Sequence, residues 1–368
     1  MIPPRAARRF LLITCLLGLV AFAGRGGPDN GDLYRQIGRD FAVLDCVDIQ
    51  CFRILVPIVV EHLPGPSLFK WKAYAVLTSA VGAVVTGRLC LVLGLSVRAA
   101  ILATWIAGFG YGPLQSIFDP YTADPLMYLL GPWLMADLLQ GRLGRSTLVA
   151  SVGVLAKEFA AAPMWIFAGL MTLKRQWDVV ARAALAALAV TTVWFALQTT
   201  LMMLYNNSYG NNPSVDLLGG GYFRTWVAAM GRRQAVLSLV SAFGPLYLLM
   251  AVGLRRPHPT LRLMAIAALP AAAAFVYVQQ PDRALWNFHF VVIPLAMLAL
   301  EALPDRLCWP LVITYGAANL RLTETQPPPL VVFRFAMLAV SMALAGVAVA
   351  ASLKREATVR SDAAPRTS

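Results

Sequence analysis

Aspartates are concentrated in one polar stretch near the start of the chain. Five of them fall within twenty positions, and they are Asp29, Asp32, Asp40, Asp45 and Asp48. A carboxylate can accept the proton of a hydroxyl group while that hydroxyl attacks the anomeric carbon of a sugar. Asp32, in the segment G-D-L-Y-R-Q-I, and Asp40 are the candidates for this catalytic role. The alternative is a solvated loop in which these acids form local ion pairs with Arg35 and Arg39.

Several basic residues have surroundings suited to phosphate binding. Arg53 begins the segment F-R-I-L-V-P, where a guanidinium can hold a phosphate through its planar donors or simply extend to the membrane surface. Lys157 and Glu158 interrupt an apolar run. Charges at the centre of a membrane segment cost about 2.5–3.5 kcal/mol each, so they are usually paired or functional. We therefore expect Lys157 and Glu158 to bind substrate, the alternative being a hairpin that only marks topology. Arg321 is a further phosphate candidate.

Asp124 lies in the stretch F-D-P-Y-T-A-D-P-L and begins an apolar segment there. An Asp-Pro pair is typical of a helix start, because Asp caps the helix and Pro fits its first turn. Packing of the early helices would also bring Asp124 close to the acidic stretch, so it is a candidate for substrate binding. Polar segments at 205–213 and 279–289 add amide and aromatic side chains of the kind that contact sugars.

The composition indicates that these residues are positioned by membrane helices. Of the 368 residues, 59% are hydrophobic and 13% are charged, with a mean hydropathy of +0.66. Soluble domains are usually about 25% charged, so a polytopic all-α membrane protein is predicted. The net charge of +13 does not indicate nucleic-acid binding, because the Lys and Arg residues lie mostly at the ends of apolar segments.

Apolar runs predict about 12 transmembrane helices, within a range of 10–13. The approximate spans are 10–24, 73–93, 98–114, 122–140, 147–157, 160–173, 179–205, 234–253, 262–278, 287–303, 307–319 and 331–352. Counting 147–157 and 160–173 as two passes places nearly all short basic loops on one side. This sidedness predicts that both termini are cytoplasmic and that the acidic stretch is extracytoplasmic. Residues 1–24 are expected to be a retained first helix rather than a cleaved signal peptide.

The long first outer loop, 25–72, is expected to contain short interfacial helices. Leu33, Ile37, Phe41 and Leu44 share one helical face, and residues 52–63 form a second apolar stretch too short to span a membrane. Trp71 and Tyr74 follow at the position of an aromatic belt.

Cysteine and histidine usage adds little. Cys46 and Cys51 would pair in an oxidising compartment, and two free thiols are an equal alternative. No Cys or His cluster has metal-site spacing. The cofactor is therefore unknown, and a divalent metal is compatible with the sequence without being required by it.

These features together resemble the GT-C superfamily of integral-membrane glycosyltransferases, which use polyprenyl-phosphate-linked sugars. The similarity rests on an early loop acid in G-D-L-Y-R-Q-I, the F-R-I-L-V-P segment, the D-P-L start of a later span and A-K-E-F before a proline-containing helix. It covers residues 10–175. The resemblance implies that Asp32 is the catalytic acid residue, replaceable by Asp40, and that Arg53, Lys157 or Arg321 serves the lipid phosphate.

The chain is accordingly predicted to be a single integral-membrane domain. A GT-C-like core spans 10–175, further helices span 176–353, and 354–368 is a disordered cytoplasmic tail. The predicted activity is transfer of a sugar from a lipid-linked donor to a glycan or lipid acceptor outside a bacterial inner membrane. The alternatives are a transporter or flippase of lipid-linked glycans and a non-catalytic assembly subunit, and the transporter would place acids within paired, broken helices.

Overall fold

The computed structural model describes residues 4–24, 31–208, 240–275, 281–301 and 303–362. These residues form sixteen α-helices and contain no β-strand. The first ten are α1 (Pro4–Ala23), α2 (Gly31–Asp40), α3 (Leu55–Glu61), α4 (Ser67–Val92), α5 (Val97–Gly108), α6 (Tyr111–Phe118), α7 (Asp124–Leu139), α8 (Leu143–Gly153), α9 (Ala162–Leu173) and α10 (Trp177–Tyr205). The other six are α11 (Pro245–Gly253), α12 (Pro259–Phe275), α13 (Pro281–Trp286), α14 (His289–Leu300), α15 (Asp305–Ala318) and α16 (Pro328–Asp362). The predicted all-α class is confirmed for the described residues.

Four helices are long and apolar enough to cross a membrane. They lie at Ala6–Ala23, Ser67–Val92, Trp177–Tyr205 and Pro328–Lys354, and shorter apolar helices occur at Glu158–Leu173, Pro259–Ala273 and His289–Leu300. The chain is therefore an integral membrane protein, whereas the predicted number of about 12 spans is not established.

Hydrogen bonds between distant segments define two ends of the helical bundle. At one end, the carbonyl of Leu93 is bonded to His258 at 2.8 Å, and Lys174 donates to Thr260 at 3.1 Å. At the other end, the amide of Leu55 donates to the carbonyl of Leu155 at 3.1 Å. We call the end with Leu93, Lys174 and His258 the basic end, and the end with Leu55 and Leu155 the loop end. Residues 154–161, which connect α8 and α9, lie at the loop end.

Small residues let the central helices approach closely. A Cβ placed on Gly82 of α4 would lie 2.9 Å from the carbonyl oxygen of Tyr128 on α7. Gly110 and Gly112 make room for the indole of Trp286, since a Cβ on Gly112 would lie 1.9 Å from that ring. The predicted span 98–114 is consequently wrong as a single helix, because the chain breaks between α5 and α6 where this indole packs.

The first outer loop contains the predicted short helices with shorter bounds. Helix α2 ends at Asp40, and Phe41 then adopts a φ of 68°. Phe41 and Leu44 are exposed while Ile37 is buried, so the predicted common face of these residues is wrong beyond the helix end. Trp71 is fully buried rather than part of an interfacial belt.

A disulfide joins Cys46 and Cys51 in this loop. The Cys46 amide donates to the Asn207 side chain at 3.1 Å, and Asn206 donates to the Asp45 carboxylate at 2.6 Å. The disulfide loop therefore rests on the end of α10. Residues 205–208 of the predicted polar segment 205–213 therefore support the disulfide loop. Residues 209–213 lie outside the described residues.

The C-terminal prediction needs one correction. Helix α16 continues to Asp362, so the tail predicted to be disordered from residue 354 is helical over its first part. A continuous run of helix-permitting residues follows the apolar span, and it carries the helix beyond the membrane segment. Residues 363–368 lie outside the described part of the chain.

Candidate functional site

A buried ionic cluster at the loop end is centred on Asp124. One carboxylate oxygen accepts from the ammonium of Lys157, and the other accepts from the Nε of Arg283 at 2.8 Å. The Asp124 side chain is 2% exposed and the Lys157 side chain is 11% exposed. Although Asp124 is the first residue of α7, it makes no capping bond there. Its carboxylate instead links three segments, which explains why a charge is retained in apolar surroundings.

Arg283 connects this carboxylate to the turn before α7. Its guanidinium donates to Asp119 at 3.2 Å and to the hydroxyl of Thr122 at 2.7 Å. Burial alone would lower the pKa of Arg283, but the carboxylates of Asp124 and Asp119 raise it above the ordinary value. Arg283 therefore stays charged. The segment 279–289 was predicted to be a loop, and α13 starts within it at Pro281 because a proline fits the first turn of a helix.

Arg53 and Glu158 form a second pair beside the first. The guanidinium donates to the Glu158 carboxylate at 2.9 Å, and the two side chains are 15% and 17% exposed. Burial opposes the charge of Arg53, but Glu158 raises the pKa of the guanidinium above its ordinary value. Burial raises the pKa of the neighbouring Tyr34 to about 12 despite the attraction of Arg53. Tyr34 is therefore a neutral hydroxyl at physiological pH.

The cluster as a whole is electrically balanced. Its three cations are Lys157, Arg283 and Arg53, and its three anions are Asp124, Asp119 and Glu158. Buried charges are stable when each has a partner of opposite sign. Four predicted site residues thus meet here, namely Arg53, Asp124, Lys157 and Glu158, and they neutralise one another together with Arg283 and Asp119.

An aromatic group packs beside the cluster. The ring centroid of Trp71 lies 5.3 Å from that of Tyr34 and 5.3 Å from that of Tyr121. The indole of Trp71 donates to the carboxylate of Glu61 at 2.6 Å. Ser67 donates to the same carboxylate at 2.6 Å, and Lys70 donates to it at 3.0 Å. Glu61 therefore fixes Trp71 and joins α3 to the start of α4.

Asp32 lies at the edge of this aromatic group and faces outward. Its side chain is 95% exposed and pairs with Arg35 at 2.5 Å. The same guanidinium donates to the hydroxyl of Tyr121 at 2.9 Å and lies 5.2 Å from the centre of its ring. The local ion pair with Arg35, given above as the alternative, is therefore present. Arg35 holds the Asp32 carboxylate at the surface, where another molecule can reach it.

Asp40 occupies the opposite end of α2 and is also exposed. Since a helix rises about 1.5 Å per residue, eight residues place it about 12 Å along the axis from Asp32. The two carboxylates are too far apart to act on one proton, so they are separate candidates for the catalytic role. Neither carboxylate belongs to the buried cluster around Asp124.

Arg321 lies in a different place, on the wall of a cavity of about 320 Å³. The polar part of the wall includes Tyr111, Asp282, Asn319, Arg321 and Arg334, and the apolar part includes Val331, Phe335 and Leu338. Arg321 donates to the neutral amide of Gln115 at 2.8 Å. Arg334 donates to the Ala318 carbonyl at 3.1 Å and to Gln326 at 3.3 Å.

The two arginines exceed the single acid of the cavity, Asp282, by one positive charge. Asp282 supplies one negative charge, and it accepts from Tyr111 at 2.5 Å and from Ser241 at 3.4 Å. Phe335 lies in the wall and is 64% exposed on α16. The cavity therefore has a cationic interior and an apolar margin on a helix that faces the membrane. Such a combination suits an anionic headgroup attached to a hydrocarbon chain.

The cavity and the outer loop meet at the end of α1. A Cβ on Gly24 would lie 3.5 Å from the carbonyl oxygen of Leu322, the residue after Arg321. Lys72 donates to the carbonyl of Gly24 at 2.9 Å.

Sequence reasoning missed Tyr34, Glu61 and Arg334 as site members. It considered Asp119 and Arg283 only as parts of the polar segments that contain them. Arg334 interrupts the apolar span 331–352, so the rule that identified Lys157 would also have found it. Glu61 had no such signal, since it ends a short surface helix. Among the described residues, no group of three His, Cys, Asp or Glu side chains converges as a metal site would.

Comparison with known proteins gives a fold relationship. No family model and no curated protein sequence matches the chain. The crystal structure of ArnT from Cupriavidus metallidurans in the apo state is similar, with a TM-score of 0.53 and 14% identity over 94% of this chain and 75% of that chain. ArnT is a GT-C family glycosyltransferase. The chain therefore shares its overall fold with ArnT, as the resemblance implied, and the likeness extends well beyond residues 10–175.

Proposed function

We propose that the protein is a membrane glycosyltransferase of a bacterial inner membrane. It transfers a sugar from a polyprenyl-phosphate-linked donor to a glycan or lipid acceptor at the extracytoplasmic face. The loop end of the bundle faces outward, and both termini are cytoplasmic. The fold shared with ArnT supports a GT-C-type enzyme. The observation that carries the proposal further is the pattern of charge pairing at the loop end.

The combination of exposure and charge pairing supports Asp32 as the proton acceptor. A general base must be within reach of the hydroxyl that it deprotonates. Asp124 contacts two cations and is buried, and Glu158 is held by Arg53, so these carboxylates are committed to the fold. Asp32 is accessible and is oriented by Arg35. Asp40 is not oriented by a cation on the aromatic group in the way that Arg35 orients Asp32. It is therefore the weaker candidate.

Charge pairing also supports Arg321, together with Arg334, as the residues that bind the donor phosphate. Arg53 and Lys157 each contact a carboxylate and have little charge left for a second anion. Arg321 contacts a neutral amide and keeps its full charge at the cavity wall. The leaving polyprenyl phosphate gains negative charge as the sugar departs, and a guanidinium beside it stabilises that charge. The apolar margin formed by α16 accommodates the start of the polyprenyl chain.

The reaction then has a simple balance of bonds and protons. The acceptor hydroxyl forms the new bond to the anomeric carbon, and its proton passes to the Asp32 carboxylate. The bond between the anomeric carbon and the phosphate oxygen breaks, and its electrons leave with the polyprenyl phosphate. The buried cluster around Asp124 fixes the positions of α7, α13 and the segment before α9, which support both substrate-binding regions.

Cells with and without the protein provide the test. Envelope glycans and lipid-linked sugars are compared by mass spectrometry, with wild-type protein or Asp32→Asn restored to the deficient cells. Loss of a sugar from one glycan, accumulation of its lipid-linked donor and failure of the variant to restore the glycan are expected.

Two outcomes would contradict the proposal. Full restoration by Asp32→Asn fits a non-catalytic assembly subunit. A donor that accumulates only on the cytoplasmic leaflet fits a flippase. Equal amounts of wild-type and variant protein in the membrane fraction are the control for expression.

A further inference from the structure

A second charged group lies at the basic end of the bundle, away from the site described above. Its centre is Asp137 in the last turn of α7, whose side chain is 2% exposed. Arg142 and Arg145 lie 3.4 Å and 3.3 Å from the carboxylate, and Arg88 of α4 lies 3.8 Å away. Trp133 also donates to Asp137 at 3.0 Å. One buried carboxylate therefore holds three guanidinium groups.

The arginines remain available to a further anion. Close pairs between guanidinium and carboxylate groups are about 2.7–2.9 Å long, and each of these three contacts is longer. The side chains of Arg88, Arg142 and Arg145 are 44%, 47% and 50% exposed. Three positive charges against one negative charge leave an excess of two. Like charges held together repel, and an additional anion relieves that repulsion.

The backbone beside the arginines is open to the same anion. Helix α8 begins here, with Arg142 at its N-cap and no side chain capping its free amide groups. Gly144 is in its first turn, and a Cβ placed there would meet nothing within 4 Å. Amide groups at a helix start attract anions, and here they add to the arginine group rather than acting alone.

Apolar side chains continue from the arginines towards the loop end along the same helices. Val81 precedes Arg88 by seven residues on α4 and is 36% exposed. Leu148 follows Arg145 by three residues on α8 and is 68% exposed. Residues three or seven apart share a helix face, so Arg88 and Arg145 each have an exposed apolar side chain on the side that faces the membrane interior. A ligand that fits both the arginines and the apolar side chains has a phosphate headgroup and hydrocarbon chains.

We propose that Arg88, Arg142 and Arg145, organised by Asp137, bind the phosphodiester headgroup of an anionic phospholipid. The lipid lies in the leaflet at the basic end, with its acyl chains against α4 and α8. Basic pockets between membrane helices on the cytoplasmic side commonly bind anionic lipids. The lipid site is separate from the site of sugar transfer. A bound lipid would hold α4, α7 and α8 together.

The full-length protein in nanodiscs is the material for the test. Thermal unfolding is measured in phosphatidylcholine alone and with added phosphatidylglycerol, and native mass spectrometry counts bound lipid. The variant R142Q/R145Q keeps Arg88 as a partner for Asp137. Phosphatidylglycerol should raise the unfolding temperature of the wild type, and the variant should bind it roughly 30-fold more weakly, since each arginine near a membrane surface contributes several-fold.

Two controls make the outcome decisive. Arg182→Gln removes an exposed arginine paired with Asp178 at the same end, and it should leave the lipid effect unchanged. Equal unfolding temperatures of wild type and R142Q/R145Q in phosphatidylcholine show that the variant folds. An unchanged lipid preference in R142Q/R145Q overturns the proposal. Reproduction of the stabilisation by soluble glycerol phosphate also overturns it, because the site would then bind free phosphate. If R142Q/R145Q does not fold, R145Q alone must show a several-fold loss.

Discussion

Lys157 donates to the carboxylate of Asp124 inside the bundle, although thirty-three residues separate them in the chain. This contact joins the segment between α8 and α9 to the start of α7. Arg283 occupies the other oxygen of the same carboxylate at 2.8 Å, so α13 is tied to the same point. The position of the loop end therefore depends on one buried acid with two cationic partners.

Replacing Lys157 with Met should destabilise the protein by about 3 kcal/mol, because removal of one partner leaves a buried charge incompletely compensated. The measurement is thermal unfolding in detergent. Asp124→Asn in the same background should recover part of the loss, since the two changes act on one contact. Lys174→Met, which affects a contact with Thr260 at the basic end, is the matched control and should cost much less. Equal losses for both lysines would contradict the assigned role of Lys157.

Asp32→Asn should lower turnover by about a hundredfold to ten-thousandfold while donor binding is retained, because a general base contributes that much to a rate. Asp40→Asn is the matched control on the same helix, about 12 Å along its axis, and should leave turnover nearly unchanged. Single-turnover sugar transfer and donor binding are measured separately. The opposite ranking of the two variants would move the catalytic role to Asp40.

Arg321→Gln and Arg334→Gln should each weaken donor binding by about tenfold to a hundredfold, the range expected for a lost hydrogen bond to a charged group. Turnover at saturating donor should fall less for Arg334→Gln than for Arg321→Gln, because Arg334 is anchored to a backbone carbonyl. Arg255→Gln at the basic end is the control, because its side chain is exposed. Unchanged donor binding in both cavity variants would exclude the cavity as the phosphate site.

The sequence identified residues of the buried cluster as candidates but did not predict that they pair with one another. Arg53, Asp124, Lys157 and Glu158 were identifiable because charges in apolar runs are costly. Their mutual pairing could not be predicted, since it depends on how distant helices pack. Asp124 illustrates the difficulty: its Asp-Pro sequence indicates a helix cap, and the structure gives it two ion pairs instead.

The outer loop shows a different limit. Its short helices were predicted from apolar spacing, but their ends were not, because Phe41 leaves the helix in a left-handed conformation. The break between α5 and α6 depends on an indole from α13, far along the chain. Contacts of this kind have no local signal in a single sequence.

Stability should also depend on pH through Glu61. Burial would raise the pKa of this carboxyl, but hydrogen bonds from Ser67, Lys70 and Trp71 lower it below the ordinary value of 4.5. A carboxyl whose pKa is lower in the folded state stabilises the protein above the unfolded-state pKa, and the stabilisation is lost as pH falls through the folded-state pKa. Wild-type unfolding temperature should therefore fall more steeply below about pH 5 than that of Glu61→Gln. Glu324→Gln, at an exposed position, is the control. Identical pH profiles for the wild type, Glu61→Gln and Glu324→Gln would show that Glu61 does not cause the pH dependence of stability.

The disulfide provides a test of sidedness that does not depend on activity. A bond between Cys46 and Cys51 persists in an oxidising compartment and is rare in the cytosol, so its presence would put the first outer loop outside. Protein trapped with an alkylating agent on lysis and then denatured should show three reactive thiols out of five, which are Cys15, Cys90 and Cys308. Reduction should make all five reactive, as counted by intact mass. Cys46→Ser should give four with or without reduction, because Cys51 loses its partner. Five reactive thiols in unreduced wild type would mean that the loop faces the cytosol or that the bond does not form, and sugar transfer at an outer face would lose this support.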